Sequence, residues 1–150
     1  EKFNPTYCMD IRDFHPTKQY DVILASPPCT EFSKASMPWS RENARPDTEL
    51  LEETLRVIDE AEPRYWVIEN VRGAVPYFKP LLGLPVARFG SRYLWGRFPI
   101  LWAPHEYGKW KIPPSPMRPA LRSLIPYSLS LAMCRSIEVW YPENIEEDSG

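Results

Sequence analysis

Two residues that can do chemistry each follow or end an apolar run. Cys29 comes after residues 21–26 (DVILAS) and two prolines, and Glu69 ends residues 65–69 (YWVIE). A thiolate is a strong nucleophile, and a carboxyl group with an apolar approach is a candidate general acid or base. A cysteine in such a place is also often a small buried residue. Whether the fold brings Cys29 and Glu69 together therefore decides between the two interpretations.

The elements around both residues predict that the fold brings Cys29 and Glu69 together. Residues 21–26 form a short apolar run that ends at Pro27, because proline cannot donate to a sheet ladder. A helix capped by Asp47 or Thr48 follows, with apolar residues at helical spacing up to Ala61 and a stop at Pro63. Strand, helix and strand in this order predict an α/β fold with a mostly parallel sheet. Cys29 and Glu69-Asn70 then lie at neighbouring carboxyl ends, where such folds place working residues.

The rest of the chain gives weaker predictions. We expect one domain over residues 1–150, with further elements in it. These are a strand at 7–11 ending at Asp10, a long loop with helical turns at 31–45, strands at 86–89 and 92–94 and near 100–102, a last helix at 127–139, and a solvated tail at 142–150. Half of the 18 prolines lie in residues 76–119, which also hold three tryptophans. That segment is predicted to be irregular or antiparallel.

Basic residues are concentrated in one part of the chain. Residues 71–122 contain nine basic residues and one acidic residue, although the whole chain has a net charge of −2. Such a basic stretch favours a face for a polyanion such as nucleic acid, and a solvated surface that balances acidic ends is the alternative.

The number of cysteines and the hydropathy of the chain argue against disulfide-rich, zinc-binding and membrane-spanning proteins. The three cysteines are odd in number and form no C-x-x-C pair, which disfavours a disulfide framework and a zinc site. We expect a reducing, intracellular setting, no metal, and Cys8 and Cys134 in the core. No apolar run approaches the roughly 20 residues of a membrane helix, so no membrane partner is predicted.

The two chemical motifs resemble those of the DNA cytosine carbon-5 methyltransferases. The match comprises Pro27, Pro28, Cys29, Phe32 and Ser33, and then Glu69, Asn70 and Val71. Residues 92–99 (RYLWGRFP) and 122–138 (RSLIPYSLSLAMCRSIE) resemble elements of compact, phage-type members. Asp10-Ile11 resembles the pair that contacts the cofactor adenine. The resemblance implies a Rossmann-like fold that uses S-adenosylmethionine.

Some features depart from the family pattern. Thr30 stands where glutamine often follows the nucleophile, and no glycine-rich Phe-x-Gly-x-Gly motif precedes Asp10. Because the chain starts at Glu1, already within the pattern, we expect the natural N-terminus to lie upstream or to have been removed. The segment between the basic and C-terminal motifs is too short for a large target-recognition domain.

The resemblance implies roles for particular residues. Cys29 would attack carbon 6 of a flipped cytosine, a protonated Glu69 would donate to nitrogen 3, and Asn70 would hold the nucleophile loop. Arg92 would lie near oxygen 2 or a phosphate, and residues 30–45 would form a lid. The implied cofactor contacts are Asp10, Ile11 and Pro27, and the implied DNA contacts are Ser33, Arg92 and Arg97.

The implied substrate is double-stranded DNA, since carbon 6 is reached only when the base leaves the stack. The implied setting is the cytoplasm of a bacterium or of a phage-infected cell. Two alternatives stay open at this point. One is a catalytically incomplete nucleic-acid-binding or regulatory fragment of the same fold, and the other, less expected, is an RNA cytosine methyltransferase.

Overall fold

The chain divides into two units, residues 1–97 and 98–150, and the computed structural model describes residues 6–99, 125 and 127–139. In the first unit four strands form one sheet. They are β1 (Val22–Ala25), β2 (Tyr65–Val71), β3 (Ala87–Phe89) and β4 (Arg92–Arg97), in the spatial order β1-β2-β4-β3. The predicted strands at 21–26, 65–69, 86–89 and 92–94 are confirmed, and β2 and β4 extend beyond their predicted ends.

The sheet is mixed, so the prediction of a mostly parallel sheet is wrong. β1 and β2 run parallel, as the strand-helix-strand pattern indicates. β4 runs antiparallel to both β2 and β3. The physical reason is the tight turn at Gly90 and Ser91, where Gly90 takes a left-handed φ of 59° and the chain reverses within two residues.

The connection between β1 and β2 contains the predicted helix, here α2 (Glu49–Ala61). Its buried side includes Leu51, Ile58 and Ala61. Thr48 occupies the N-cap, but the amide of Glu49 donates instead to the carboxylate of Asp47, at 3.2 Å. The helix ends at Ala61, and the next residue, Glu62, caps it in a left-handed conformation directly before Pro63.

Further helices lie in the segment predicted to be a loop with helical turns and in the stretch predicted to be irregular or antiparallel. α1 (Thr30–Ala35) follows Cys29, and a 3-10 helix (Arg41–Asn43) lies further along the same segment. α3 (Val75–Leu82) falls in the stretch predicted to be irregular. Pro76 is tolerated there because amides in the first turn of a helix have no intrahelical partner. Pro80 lies inside the helix, which explains why composition misled the prediction.

The start of the described chain also differs from expectation. Residues 7–11 form no strand, since Asp10 caps a 3-10 helix (Ile11–Asp13) by accepting a bond from the amide of Arg12 at 2.9 Å. The predicted strand there is therefore wrong. Short polar side chains favour such local caps over a ladder.

The core of the first unit is built from aromatic and aliphatic residues of both strands and helices. Phe32 of α1 packs edge-on against Phe78 of α3, with ring centroids 5.2 Å apart. Phe78 in turn lies 5.1 Å from the ring of Trp95 on β4. Ile68, the register partner of Trp95, belongs to the same cluster. This cluster fixes α1 and α3 against the sheet.

The second unit contributes one described helix, α4 (Tyr127–Val139), which confirms the predicted last helix. Leu129, Ala132 and Met133 are its buried residues. Cys134 and Cys8 are exposed, so their assignment to the core is wrong. The predicted strand at 100–102 and the tail at 142–150 lie outside the described residues. Over the described ranges, no helix combines the length and apolarity that a membrane span requires.

Replacing Phe78 by alanine tests the aromatic core. Phe78 is fully buried between two rings, so Phe78→Ala should lower the free energy of unfolding by about 3–5 kcal/mol. Leu84→Ala is the control, because Leu84 is 65% exposed and its truncation should change the value by about 0.5 kcal/mol or less. Urea denaturation measures both. Equal effects of the two changes would contradict this description of the core.

Candidate active site

The carboxyl ends of β1 and β2 lie side by side. Ala25 pairs with Ile68, so the next residues, Ser26 and Glu69, stand opposite each other. The hydroxyl of Ser26 donates to Oε2 of Glu69 at 2.8 Å. The residue that closes the first apolar run is therefore joined directly to the carboxyl group that the sequence singled out.

Glu69 is a buried acid with a cation beside it. Its side chain is 7% exposed, and Nη1 of Arg92 lies 2.7 Å from its Oε1. Arg92 opens β4, next to the end of β2, because those strands are antiparallel. A buried charge is tolerated in a protein when it is paired and hydrogen-bonded, and Glu69 has both kinds of partner.

Asn70 ties the strand end to the loop that carries the cysteine. Its Nδ2 donates to the carbonyl of Pro27 at 2.9 Å, and its Oδ1 accepts from the amide of Val71. Successive residues of a strand point to opposite faces, so Glu69 and Asn70 hold the loop from two sides. The tie lies two residues before Cys29.

Cys29 begins α1 and is half-buried. Its carbonyl accepts the amide of Ser33 at 2.9 Å, which makes it the N-cap of the helix. Three residues on, Phe32 is 5% exposed and enters the aromatic core. The cysteine is thus placed by a loop tied to β2 on one side and by a buried aromatic anchor on the other.

A close backbone approach packs α1 against the exit of β2. Residues 72–74 form a 3-10 helix after β2, and Gly73 lies against α1. A methyl group at Gly73 would be 2.1 Å from the carbonyl oxygen of Phe32 and 3.1 Å from Cβ of Ser36. Only glycine permits this contact, so the position depends on the absence of a side chain.

The segment after α1 folds back onto it through Glu31. One carboxylate oxygen of Glu31 accepts from Lys34 and the other accepts from the amide of Arg45, at 2.9 Å. The hydrogen bond from Lys34 is the main cause that lowers the pKa of Glu31, and the bond from the Arg45 amide adds to it. Between these ends Trp39 is 81% exposed. We call residues 36–45 the return segment.

Asp10 and Ile11 lie on the segment that precedes β1. The carboxylate of Asp10 is about half exposed and pairs with Arg12, whose Nε reaches Glu49 at 2.8 Å. Glu49 is the first residue of α2, a helix that connects two parallel strands and so begins at their carboxyl edge. Asp10 therefore belongs to the same edge of the sheet as Cys29.

Arg97 lies away from this edge. It pairs with Trp66 near the start of β2, and its guanidinium donates to the carbonyls of Pro63 and Arg64, at 2.6 and 3.0 Å. The structure thus brings together Pro27, Cys29, Glu69, Asn70 and Arg92 but not Arg97. Ser33 is half-buried within α1, and its carbonyl accepts the hydroxyl of Ser36.

Sequence reasoning missed three positions that shape the site: Ser26, Glu31 and Gly73. The one available signal was strand pairing, because extending the register by one residue places Ser26 opposite Glu69. Nothing local marked the tertiary contact of Gly73. Within residues 6–99 and 127–139, no group of His, Cys, Asp and Glu side chains is arranged to hold a metal ion.

Comparison with known proteins gives one family. A sequence model of the C-5 cytosine-specific DNA methylases matches residues 1–77, about half of the chain. The chain is 40% identical over 55 residues to the type II methyltransferase M.SacI of Streptomyces achromogenes, over 35% of this chain and 14% of that protein. It is 36% identical over 61 residues to the type II methyltransferase M.AquIA of Picosynechococcus sp., over 41% of this chain and 24% of that protein. No solved structure matches. The chain spans well under two thirds of either relative.

Gly73→Ala tests the approach of α1 to the exit of β2. The added methyl overlaps the Phe32 carbonyl, so α1 must shift, at a cost of about 1–3 kcal/mol in the free energy of unfolding. Alkylation of Cys29, followed by peptide mass spectrometry, should become faster as its helix moves outward. Gly83→Ala is the control: its φ of 74° strains an alanine, but nothing lies within 4 Å. Unchanged Cys29 reactivity in Gly73→Ala would refute the contact.

Acid should release the return segment from Glu31. The lowered pKa means that the ionised form holds the amide of Arg45, so this bond is present at pH values above the ordinary value of 4.5. The bond is lost as the pH falls through the lowered pKa. We expect the NMR signal of the Arg45 amide to move upfield in that range and to stay constant in Glu31→Gln. A titration that persists in Glu31→Gln would assign it to another group.

Proposed function

The chain belongs to the C-5 cytosine-specific DNA methylase family, and from this we propose that it is the catalytic part of a DNA cytosine carbon-5 methyltransferase with a Rossmann-like fold. The observation that carries the proposal is the pairing at the strand ends. Glu69 is bonded to Ser26 and Arg92, and Asn70 is bonded to the loop of Cys29. A nucleophile and a buried acid are thereby held at one edge.

Cys29 supplies covalent catalysis in this proposal. Its thiolate forms a bond to carbon 6 of cytosine, and the electron pair of the 5,6 double bond moves into the ring toward nitrogen 3 and oxygen 2. Carbon 5 thereby becomes nucleophilic enough to take a methyl group. Loss of the carbon 5 proton to a base then expels the thiolate and restores the aromatic ring. Covalent catalysis replaces one difficult step by easier ones.

Glu69 and Arg92 stabilise the negative charge that this attack creates on the cytosine ring. A proton on Glu69 donates to nitrogen 3 as negative charge develops there. Arg92, bonded to the other oxygen of the same carboxyl group, keeps a positive charge close to the ring. Both groups stand on the sheet rather than on a loop, which favours fixed geometry.

The residues proposed for the cofactor fit one end of S-adenosylmethionine. Asp10 has a half-exposed carboxylate, whose uncommitted lone pairs suit an adenine amino group, and Ile11 beside it is half-buried. Pro27 lies in the tied loop between this segment and Cys29. When bound, the cofactor supplies an electrophilic methyl group. We propose that these three residues hold it.

The substrate is proposed to be duplex DNA with the target base flipped. The basic stretch, including residues 76–119, is proposed as the DNA-facing segment, and Ser33 and Arg97 stay proposed DNA contacts. A second candidate is a catalytically incomplete nucleic-acid-binding or regulatory fragment of the same fold, which binds nucleic acid without turnover. It is favoured by the short span of the match, which covers 14% and 24% of two relatives.

Two measurements separate these functions. DNA carrying tritium at carbon 5 of cytosine loses it when a thiolate adds to carbon 6 and a proton enters at carbon 5, a reaction that needs no methyl donor. The chain should therefore release tritium from mixed-sequence duplex DNA. Cys29→Ser should slow the release by at least about 1000-fold. Cys134→Ser, which removes an exposed thiol of α4, should leave it unchanged.

DNA with 5-fluorocytosine, together with S-adenosylmethionine, then tests methyl transfer. Fluorine at carbon 5 cannot be removed as a proton is, so the thiolate of Cys29 is not expelled after methyl transfer. A methyltransferase therefore leaves a covalent adduct at Cys29. Tritium release without an adduct would contradict methyl transfer. Absence of both signals would overturn the methyltransferase, and binding of DNA by the same chain would then favour the fragment. Faster release from RNA than from DNA would contradict the proposed substrate.

A further inference from the structure

We propose that Ser26 is a positioning residue that makes Oε2 of Glu69 the oxygen that carries the proton to the cytosine ring. The inference rests on the proposed function and adds a residue to it. Ser26 follows β1 and directly precedes the two prolines, and its hydroxyl is 2.8 Å from Oε2. No role for it follows from the nucleophile motif, whose matching residues begin at Pro27.

The two oxygens of Glu69 have chemically different partners. Oε1 faces a guanidinium, which has only donors, and Oε2 faces a hydroxyl, which can donate or accept. A proton on Oε1 would point a donor at a donor and weaken the ion pair with Arg92. A proton on Oε2 leaves the ion-pair oxygen unchanged, because the hydroxyl of Ser26 can turn. The partners therefore direct the proton to Oε2.

Exposure agrees with this choice of oxygen. The side chain of Arg92 is 15% exposed and that of Glu69 is 7% exposed, whereas Ser26 is exposed. Of the two partners of Glu69, Ser26 is therefore the one more accessible to solvent.

The backbone around Ser26 also suits a positioning role. Proline at the next position restricts Ser26 to an extended conformation, and Asn70 fixes the carbonyl of Pro27. The hydroxyl rotates about one bond, and the residue before it, Ala25, is held in register with Ile68 of β2. When Glu69 takes up a proton, only the hydroxyl hydrogen of Ser26 then has to turn, and the strand does not move.

An activity-independent measurement tests the contact. In protein labelled with carbon-13 at the glutamate carboxyls, the Glu69 signal is identified by its loss in Glu69→Gln. At neutral pH, Ser26→Ala should shift this signal, and Ser26→Thr, which retains the hydroxyl, should restore it. Ser136→Ala removes a serine hydroxyl bond within α4 and should leave the signal in place. A Glu69 signal that is the same in Ser26→Ala and in the unmodified chain would overturn the proposal.

Tritium release at varied DNA concentration tests the function of the contact. Ser26→Ala should lower the maximal rate about 10-fold with little change in KM for DNA, and Ser26→Thr should recover most of the rate. A purely structural role would not separate the maximal rate from KM or be rescued by threonine. An unchanged maximal rate in Ser26→Ala, with the unmodified chain active, would overturn this inference and leave the proposed function standing. Absence of release from the unmodified chain would instead refute the proposed function, and the catalytic role of Ser26 with it.

Discussion

The carboxylate of Glu69 is buried at the end of a buried strand, and a charge in that place must be balanced and hydrogen-bonded. Arg92, the first residue of β4, and Ser26, the residue after β1, do this from the two sides of β2. Satisfying one acid therefore requires three strand ends to be aligned within hydrogen-bond distance. A slip of one residue in either pairing would turn a partner to the other face and leave the carboxylate unpaired. The stability of the sheet register and the geometry of the site are in this sense one constraint.

The mixed sheet is what makes this alignment achievable. In an antiparallel pair the first residue of one strand lies beside the last residue of its partner, so β4 delivers Arg92 to the end of β2 where Glu69 lies. A parallel β4 would place its first residue at the opposite edge, near Tyr65. The departure from a mostly parallel sheet and the position of the cation beside the acid thus have a single cause, the tight reversal at Gly90.

The sequence predicts well whatever depends on local pattern. Apolar runs and helical spacing located β1, β2, α2 and α4, and the order of elements placed Cys29 and Glu69 at one edge. It grouped Arg92 with Arg97 as one basic motif, whereas alternation along β4 puts these side chains on opposite faces and at opposite ends. It could not find the contact between Gly73 and Phe32, because residues so distant in sequence meet only through tertiary packing.

The segment around the nucleophile has an inner part and an outer part with different physical character. From Pro27 to Phe32 the chain is held by Asn70, by the core and by the approach of Gly73, so moving it would disrupt buried contacts. The return segment is joined to α1 by exposed hydrogen bonds, from the hydroxyl of Ser40 to the carbonyl of Lys34 and from the amide of Arg45 to Glu31. Exposed bonds of this kind open at little cost in free energy, so opening costs least there. The function proposed above requires a flipped base to reach Cys29, and movement of the return segment is the least costly way to admit it while Cys29 keeps its place relative to Glu69.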